Sequence, residues 1–288
     1  MKVKSFLVTI LALVIATTIF LWNDRRSDLK NELKIVHTVD SKFGGLWVYE
    51  DNGMRCLTFK KPSEQERKRI VQSCMYLEKP NHLILGYTHI FLSSLFFNDS
   101  PRKILLLGLG GASIPKALNV LAPRAELDIV EINPALVPIV NKYFSFDENL
   151  KTHIIIADGA EFVKNASADS YDLILLDAFD SKYIPPALLT DEFMQDIKRI
   201  MTKNAIIVSN TFQDSKTYDV ESKLHKDNFG SYYHLNYNNS RIMVASKGDL
   251  INVAQIEQNA RLWPYRFAEV GSNAFEIFKL YKKPDALK

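Results

Sequence analysis

Two carboxylates stand where they could handle a charged amine. Asp177 directly follows the apolar run from Leu173 to Leu176, and Asp180 comes three residues later. A primary amine has a pKa of about 10 and becomes a nucleophile only after it has lost a proton. We therefore expect Asp177 and Asp180 to be catalytic, binding a cationic amine and accepting its proton. The alternative is that both carboxylates merely solvate a loop.

A third carboxylate, Glu131, has the spacing of a residue that binds ribose. It ends the apolar run that begins at Leu127, and it follows a glycine-rich loop by about 20 residues. An acidic residue with this spacing can accept hydrogen bonds from both ribose hydroxyls. The alternative is a favourable negative charge near the start of the next helix. We expect Glu131 to hold the ribose of a nucleoside.

The glycine-rich loop and the pair Asp158-Gly159 complete the candidate nucleoside site. The loop contains Gly108, Gly110 and Gly111 and leads into a predicted helix, so its backbone can approach a ligand and offer free N–H groups. Glycines of this kind also serve close packing. Asp158 follows another apolar run. Its carboxylate could accept a hydrogen bond from the exocyclic amine of adenine, or it could cap the following helix.

Alternating strands and helices must position these residues. Continuous apolar runs such as Lys103 to Leu107 indicate strands that are buried on both faces of a parallel sheet, and parallel strands need crossover helices. The sequence therefore predicts an α/β fold with a doubly wound, methyltransferase-type (Rossmann-like) sheet, closed by a hairpin around Asn238-Asn239-Ser240. Ligands of such sheets bind beyond the carboxyl ends of the strands, where all the candidate residues lie. The predicted strands are 103–107, 127–132, 153–157, 173–176 and 205–209, and the predicted helices are 113–121, 135–144, 160–165 and 191–201.

The part of the chain before this sheet has a different pattern. Apolar residues alternate between Lys34 and Phe59, and Asp51-Asn52-Gly53 separates two such runs. An Asp-Asn-Gly sequence suits a tight hairpin turn that needs positive φ. The pattern predicts a small N-terminal antiparallel β subdomain.

The first residues predict an N-terminal transmembrane helix. Residues 5–22 carry no charge, and 18 residues at about 1.5 Å each give roughly 27 Å of helix, close to the thickness of a bilayer core. A removed signal peptide is the alternative. Basic residues on the C-terminal side of the run slightly outnumber those on its N-terminal side. We therefore expect a single-pass protein of the bacterial inner membrane, with its soluble domain in the cytoplasm.

Composition and charge limit the classes of function. The 288 residues are 47% hydrophobic and 24% charged, which is typical of a folded protein with a large core. A formal charge of +3 is too small to favour a nucleic-acid-binding surface, so a small-molecule substrate is expected. Cys56 and Cys74 cannot form a metal cluster by themselves. We expect two unpaired thiols, with one disulfide bond between them as the alternative, and we expect no metal.

Taken together, these motifs resemble the spermidine synthase (polyamine aminopropyltransferase) family, and more closely its membrane-associated bacterial spermidine synthase-like branch. The resemblance covers about residues 41–209. The motifs that carry it are Phe43-Gly44-Gly45-Leu46, Tyr87 before a helix, the loop Gly108 to Ser113, Glu131-Ile132-Asn133-Pro134, Asp158-Gly159, and Asp177 to Asp180.

The resemblance implies both an activity and the residues that perform it. The activity would be transfer of an aminopropyl group from decarboxylated S-adenosylmethionine, a co-substrate that is not tightly bound, to an amine such as putrescine. Asp177 would accept the proton and Asp180 would position the amine. Tyr87 would line the amine pocket, and a loop carrying Pro185 would close over the substrates. The glycine loop with Glu131, Asp158 and Gly159 would bind the adenosyl part of the donor, and the enzyme could be a homodimer.

Two departures from the family pattern keep other functions open. Aminopropyltransferases usually carry an acidic residue inside the glycine loop, where it meets the donor's amino group, and Gly111 stands at that position here. The family's histidine after the tyrosine is replaced by Thr88, with His89 one place further on. The alternatives are a methyltransferase that uses S-adenosylmethionine and a catalytically silent, membrane-tethered binding protein of the same fold.

The predicted organisation has four parts. Residues 1–34 form a membrane anchor and linker, and residues 35–79 form the small β subdomain. Residues 80–248 form the adenosyl-sulfonium-binding α/β domain, and residues 249–288 form a helical extension.

Overall fold

Two β-sheets carry the fold. The structure is a computed structural model and describes residues 33–63, 72–179, 183–283 and 286–288. The predicted transmembrane segment, residues 5–22, and the predicted site residue Asp180 lie outside the described residues.

The first sheet is small, antiparallel and formed by the N-terminal part of the chain. Its strands follow one another in sequence order, and the turn between the second and third strands has positive φ at Asn52 and Gly53. Cys56 and Cys74 face each other across the last two strands and form a disulfide bond, so the expectation of two unpaired thiols was wrong. The strands are β1 (Lys34–Ser41), β2 (Gly44–Asp51), β3 (Met54–Thr58) and β4 (Ser73–Tyr76).

The second sheet has seven strands in the order β10-β11-β9-β8-β5-β6-β7. Strands β5 to β9 are parallel, and the hairpin β10–β11 extends the sheet antiparallel to β9. This is the α/β architecture that the sequence predicted. The strands are β5 (Lys103–Leu107), β6 (Glu126–Glu131), β7 (Thr152–Ile156), β8 (Tyr171–Leu176), β9 (Met201–Phe212), β10 (Tyr232–Tyr237) and β11 (Ser240–Ser246).

Helices cover both faces of the large sheet, and the strands supply a core to each face. Ile104 and Leu106 belong to the core on the side of the small sheet, whereas Leu105 and Leu107 belong to the core on the opposite side. This alternation follows from the two-residue period of a strand and explains why β5 is apolar from Ile104 to Leu107. The helices are α1 (Gly86–Phe91), α2 (Ser113–Leu121), α3 (Leu136–Tyr143), α4 (Gly159–Asn165), α5 (Asp191–Ile200), α6 (Tyr218–Phe229), α7 (Val253–Ala260), α8 (Pro264–Glu269) and α9 (Ala274–Tyr281), with 3₁₀ helices at Leu92–Phe96 and Pro186–Leu188.

The strand order reverses between β5 and β8. From β5 the chain builds β6 and β7 on one side, and it then returns to build β8 and β9 on the other side. The loops that leave β5 and β8 therefore diverge and open a crevice at the carboxyl ends of the strands, which is where open α/β sheets bind ligands. The glycine loop and Asp177 lie on the two sides of this crevice.

Helix α6 was not predicted, and its buried face explains why. That face carries polar side chains, Glu221, His225 and Asn228, in place of the apolar stripe that signals an amphipathic helix. Glu221 forms a buried ion pair with Arg241 of β11. The Nε2 atom of His225 lies 3.0 Å from the hydroxyl oxygen of Ser209 in β9. Contacts with Arg241 and Ser209, which are distant in the sequence, thus stabilise α6, although no local sequence pattern indicates a helix there.

The prediction of a single-pass protein of the inner membrane is corrected. Among the described residues, no helix is long and apolar enough to cross a bilayer. A span needs about 20 apolar residues, whereas α6, with 12 residues, is polar even on its buried face. The cytoplasmic location predicted for the rest of the chain depended on that anchor and is corrected together with it.

The disulfide should make a measurable contribution to stability. It closes a loop with a sequence separation of 18 residues, and restricting an unfolded loop of this length is worth about 3 kcal/mol. We predict that replacing both Cys56 and Cys74 with Ala lowers the free energy of unfolding by about that amount in a urea titration. Wild-type protein treated with a thiol reductant should lose a similar amount, and equal midpoints for oxidised and reduced wild-type protein would contradict the prediction.

Candidate active site

Asp177 accepts hydrogen bonds from two side chains on its two carboxylate oxygens. The Tyr87 hydroxyl donates to Oδ2 at 3.1 Å, and Nδ2 of Asn210 donates to Oδ1 at 2.8 Å. Tyr87 lies in the first turn of α1, and Asn210 lies near the carboxyl end of β9. Three separate elements therefore meet at one carboxylate, and its orientation is fixed from both sides.

The surroundings of Asp177 bring the pKa of its carboxyl group close to neutral pH. Burial raises the pKa of the carboxyl to about 7, while the hydrogen bonds from Asn210 and Tyr87 act in the opposite direction. Burial and the negative charge of Asp177 raise the pKa of Tyr87 well above its usual value, so the tyrosine remains a hydrogen-bond donor. A carboxyl with a pKa near the working pH can accept and release a proton readily.

Close packing at Gly86 determines where Tyr87 lies. A Cβ atom at Gly86 would come within 2.0 Å of the ring of Tyr237, at the end of β10. The absence of a side chain lets the start of α1 contact the closing hairpin of the sheet, and this contact brings the tyrosine hydroxyl to Asp177. The sequence predicted Tyr87 from the resemblance alone, without this reason.

Asn210 is a site residue that the sequence analysis missed. Its Oδ1 atom is buried and has no hydrogen-bond partner within the described part of the chain. A buried acceptor without a partner is costly, so it is suited to an N–H group of a ligand. The available signal was the polar run Ser209-Asn210-Thr211, which follows the apolar run of β9 at the same edge of the sheet as Asp177.

The glycine loop is held against Asp177 by backbone contacts. Gly108 has a φ of 102°, and a Cβ atom there would lie 2.4 Å from the carbonyl oxygen of Asp177. Gly110 also has positive φ. The loop ends at Ser113, where α2 begins. Gly108 is therefore required both by its conformation and by the closeness of the two loops.

Glu131 is buried at the end of β6 and is held by backbone N–H groups. Its Oε2 accepts from the Leu109 N–H at 2.9 Å, and its Oε1 accepts from the Asn133 N–H at 2.8 Å. Burial raises the pKa of Glu131, and these hydrogen bonds lower it. Each carboxylate oxygen can accept more than one hydrogen bond, so both oxygens retain capacity for a hydroxyl of a ligand.

Asp158 serves as the N-cap of α4. Its Oδ1 accepts hydrogen bonds from the N–H groups of Ala160 at 2.9 Å and Glu161 at 3.2 Å. The helix cap that the sequence allowed as an alternative is therefore present, and any contact with adenine would use Oδ2. Gly159 is not required by its surroundings, since a Cβ atom there would make ordinary contacts with Leu107 at 3.6 Å.

The structure also describes Pro185, a predicted site residue, and His89, which the sequence analysis named only as a departure from the family pattern. Pro185 immediately precedes the 3₁₀ helix Pro186–Leu188, and its carbonyl accepts from the Leu188 N–H. His89 lies on α1, where burial lowers its pKa and a hydrogen bond with the backbone of Leu83 opposes that effect. That contact supports a structural role for His89.

The small sheet contacts residues of the segments that follow β5 and β6. The Asn133 side chain donates to Ser41 of β1 at 3.1 Å, and Arg55 of β3 donates to the Tyr143 carbonyl at 2.9 Å. The hydroxyl oxygens of Ser73 in β4 and Ser113 lie 2.9 Å apart. The small sheet thus forms one wall of the crevice.

Comparison with known proteins identifies relatives of this chain. The family model for the spermine/spermidine synthase domain matches residues 87–249. The chain is 35% identical over 232 residues to a polyamine aminopropyltransferase of Vibrio vulnificus, covering 78% of this chain and 76% of that protein. It is also 30% identical over 124 residues to the human eEF1A lysine and N-terminal methyltransferase, covering 39% of this chain and 18% of that protein.

The fold is shared with solved structures. A probable spermidine synthase from Corynebacterium glutamicum superposes with a TM-score of 0.68 at 16% identity, covering 88% of this chain and 95% of that chain. This likeness confirms the predicted Rossmann-like sheet with a small antiparallel sheet at the N-terminal side.

The raised pKa of Asp177 should be visible in the pH dependence of stability. Between the unfolded pKa of about 3.9 and the folded pKa of about 7, the native state binds more protons than the unfolded state, so stability falls as pH rises. We predict that Asp177→Asn gains stability relative to wild type as pH rises from 4 to 7, measured by urea titrations. A difference in stability that does not change over this range would contradict the raised pKa.

Proposed function

The chain belongs to the spermine/spermidine synthase family, and from this premise we propose that it is an aminopropyltransferase that moves an aminopropyl group from decarboxylated S-adenosylmethionine to an amine such as putrescine. The donor is a co-substrate and is not a tightly bound cofactor. The observation that supports this proposal best is the enclosed carboxylate of Asp177, which has a pKa of about 7 and lies beside the glycine loop.

Asp177 would act as the proton acceptor. Loss of a proton frees the nitrogen lone pair of the amine, which forms a bond to the donor carbon beside the sulfonium. The carbon–sulfur bond breaks, and its electron pair neutralises the sulfur, so methylthioadenosine leaves. The proton passes to Asp177, and Asn210 and Tyr87 hold the carboxylate towards it. Positioning and the surrounding dipoles supply most of the acceleration, because the sulfonium is already an activated leaving group.

The nucleoside part of the donor would be held along the carboxyl ends of β5, β6 and β7. Glu131 would accept the ribose hydroxyls, and Oδ2 of Asp158, next to Gly159, would accept from the adenine amine. Gly108, Gly110 and Gly111 would let the loop backbone approach the donor. The backbone hydrogen bonds to Glu131 support this role, since they orient the carboxylate before any ligand binds.

The amine would lie between Tyr87 and the loop that follows Asp177. Asp180 would hold its cationic end, and Pro185 would form part of the covering loop. The Oδ1 atom of Asn210 adds an acceptor for an N–H of the amine. The roles of Asp180 and Pro185, and a homodimeric assembly, remain predictions from the resemblance.

Methyl transfer from S-adenosylmethionine is the second candidate, and Gly111 favours it. A carboxylate at this position would repel the carboxylate of the methionine part of S-adenosylmethionine, and the chain has none there. An assay that offers both donors with putrescine, followed by mass analysis of the amine product, distinguishes an added aminopropyl group from an added methyl group.

Replacing Asp177 with Asn tests the proposed proton acceptor. The amide keeps the shape of the carboxylate and cannot take the proton, so we predict that kcat for aminopropyl transfer falls roughly 10²- to 10⁴-fold. The donor dissociation constant should change little, because Asp177 is proposed to act on the amine. Asp147→Asn is the matched control, since Asp147 is exposed and lies in the segment between α3 and β7. Full activity of Asp177→Asn would rule out the proposed role.

A further inference from the structure

The glycine loop contacts the small sheet at a pair of uncharged hydroxyl groups. The Ser73 hydroxyl at the start of β4 lies 2.9 Å from the Ser113 hydroxyl at the start of α2. The Ser113 hydroxyl also donates to the Cys74 carbonyl at 3.4 Å. The sequence analysis named Ser113 only as the end of the glycine loop and did not name Ser73. Ser73 comes from a different sheet, so its place beside the loop could not be read from local sequence.

Lack of space, rather than backbone conformation, disfavours a side chain at position 111. Gly111 is not among the residues with positive φ, so its backbone conformation would allow any residue. A Cβ atom there would lie 2.7 Å from both Cβ and Oγ of Ser73 and 3.3 Å from a ring carbon of Phe144. Real Cβ atoms essentially never come as close as 2.7 Å, so a side chain at 111 requires Ser73 to move.

The groups that close this space are themselves held firmly. Phe144 is fully buried, and Nζ of Lys116 donates to its carbonyl at 2.8 Å. Ser73 precedes Cys74, whose disulfide ties β4 to β3, and Ser73 itself is 5% exposed. Phe144 cannot move without disturbing the core, and Ser73 cannot move without disturbing the small sheet.

The sheet order places this loop beneath the middle of the proposed donor. Strand β5 lies between β6, which ends at Glu131, and β8, which is followed by Asp177. A donor whose ribose is at Glu131 and whose reacting carbon is near Asp177 must cross the loop that follows β5. The amino-bearing chain on its sulfonium would then lie close to this loop, which includes Gly111 and contacts Ser73.

We infer that Ser73 and Gly111 together keep the glycine-loop side of the donor's amino-bearing chain free of a carboxylate, so that the protein distinguishes decarboxylated from intact S-adenosylmethionine only weakly. This inference rests on the proposed function and concerns donor selectivity. Ser73 fills the space that an acidic side chain at position 111 would need. No carboxylate at 111 can then attract the donor's ammonium or repel the carboxylate of the intact donor.

The dissociation constants of the two donors test this inference directly. For the full-length wild-type chain, we expect calorimetric titrations to give values for intact and decarboxylated S-adenosylmethionine within about tenfold of each other. The variant Ser73→Gly/Gly111→Asp opens the space and adds a carboxylate, and we expect it to shift the ratio at least tenfold towards the decarboxylated donor. Gly111→Asp alone should weaken binding of both donors, because Ser73 obstructs the new side chain.

The matched control is Ser73→Gly/Gly111→Asn, which has the same size without the charge. Its ratio should stay near that of wild type. A wild-type preference above about tenfold for the decarboxylated donor, or equal ratios in the Asp and Asn variants, would overturn the inference. The wild-type ratio is decisive even where a double variant does not fold. Weak selectivity in binding without any aminopropyl transfer to amines would refute the proposed function and leave this inference standing.

Discussion

The backbone contact between the ends of β5 and β8 is the constraint on which the candidate site depends. The Asp177 N–H donates to the Leu107 carbonyl at 2.9 Å, and Gly108 leaves no room for a side chain against the Asp177 carbonyl. This contact fixes the distance between the glycine loop and the proton acceptor. Any side chain at Gly108 would push the two loops apart and move the carboxylate away from its hydrogen-bond donors.

Around that contact, burial and hydrogen bonding act on Asp177 in opposite directions. Enclosure favours the protonated carboxyl, whereas donation from Tyr87 and Asn210 favours the charged form, and the balance lies near neutral pH. The small sheet contributes by closing one side of the crevice. Its disulfide ties β4 to β3, and Ser73, which precedes Cys74 in β4, occupies the space beside Gly111 of the glycine loop.

The parallel sheet could be predicted from sequence because its signals are local. The run Lys103–Leu107 is itself a strand, and the carboxylates Glu131, Asp158 and Asp177 each stand at or just after the end of another strand. The remaining features depend on contacts between distant residues. Asn210 gains its significance only beside Asp177, and the pairing of Cys56 with Cys74 depends on strand register. The helix from Tyr218 to Phe229 has a polar buried face that pairs with another strand, and the reason for Gly111 is a serine in another sheet.

The pH dependence of a single turnover tests the proton acceptor most directly. With saturating decarboxylated S-adenosylmethionine and putrescine, the rate of aminopropyl transfer should fall on the acid side with a midpoint at about pH 7. The midpoint should rise in Tyr87→Phe, because the lost hydrogen bond no longer favours the charged carboxylate. An acid midpoint near pH 4 in wild type, as for an exposed aspartate, would contradict the role of the enclosed Asp177.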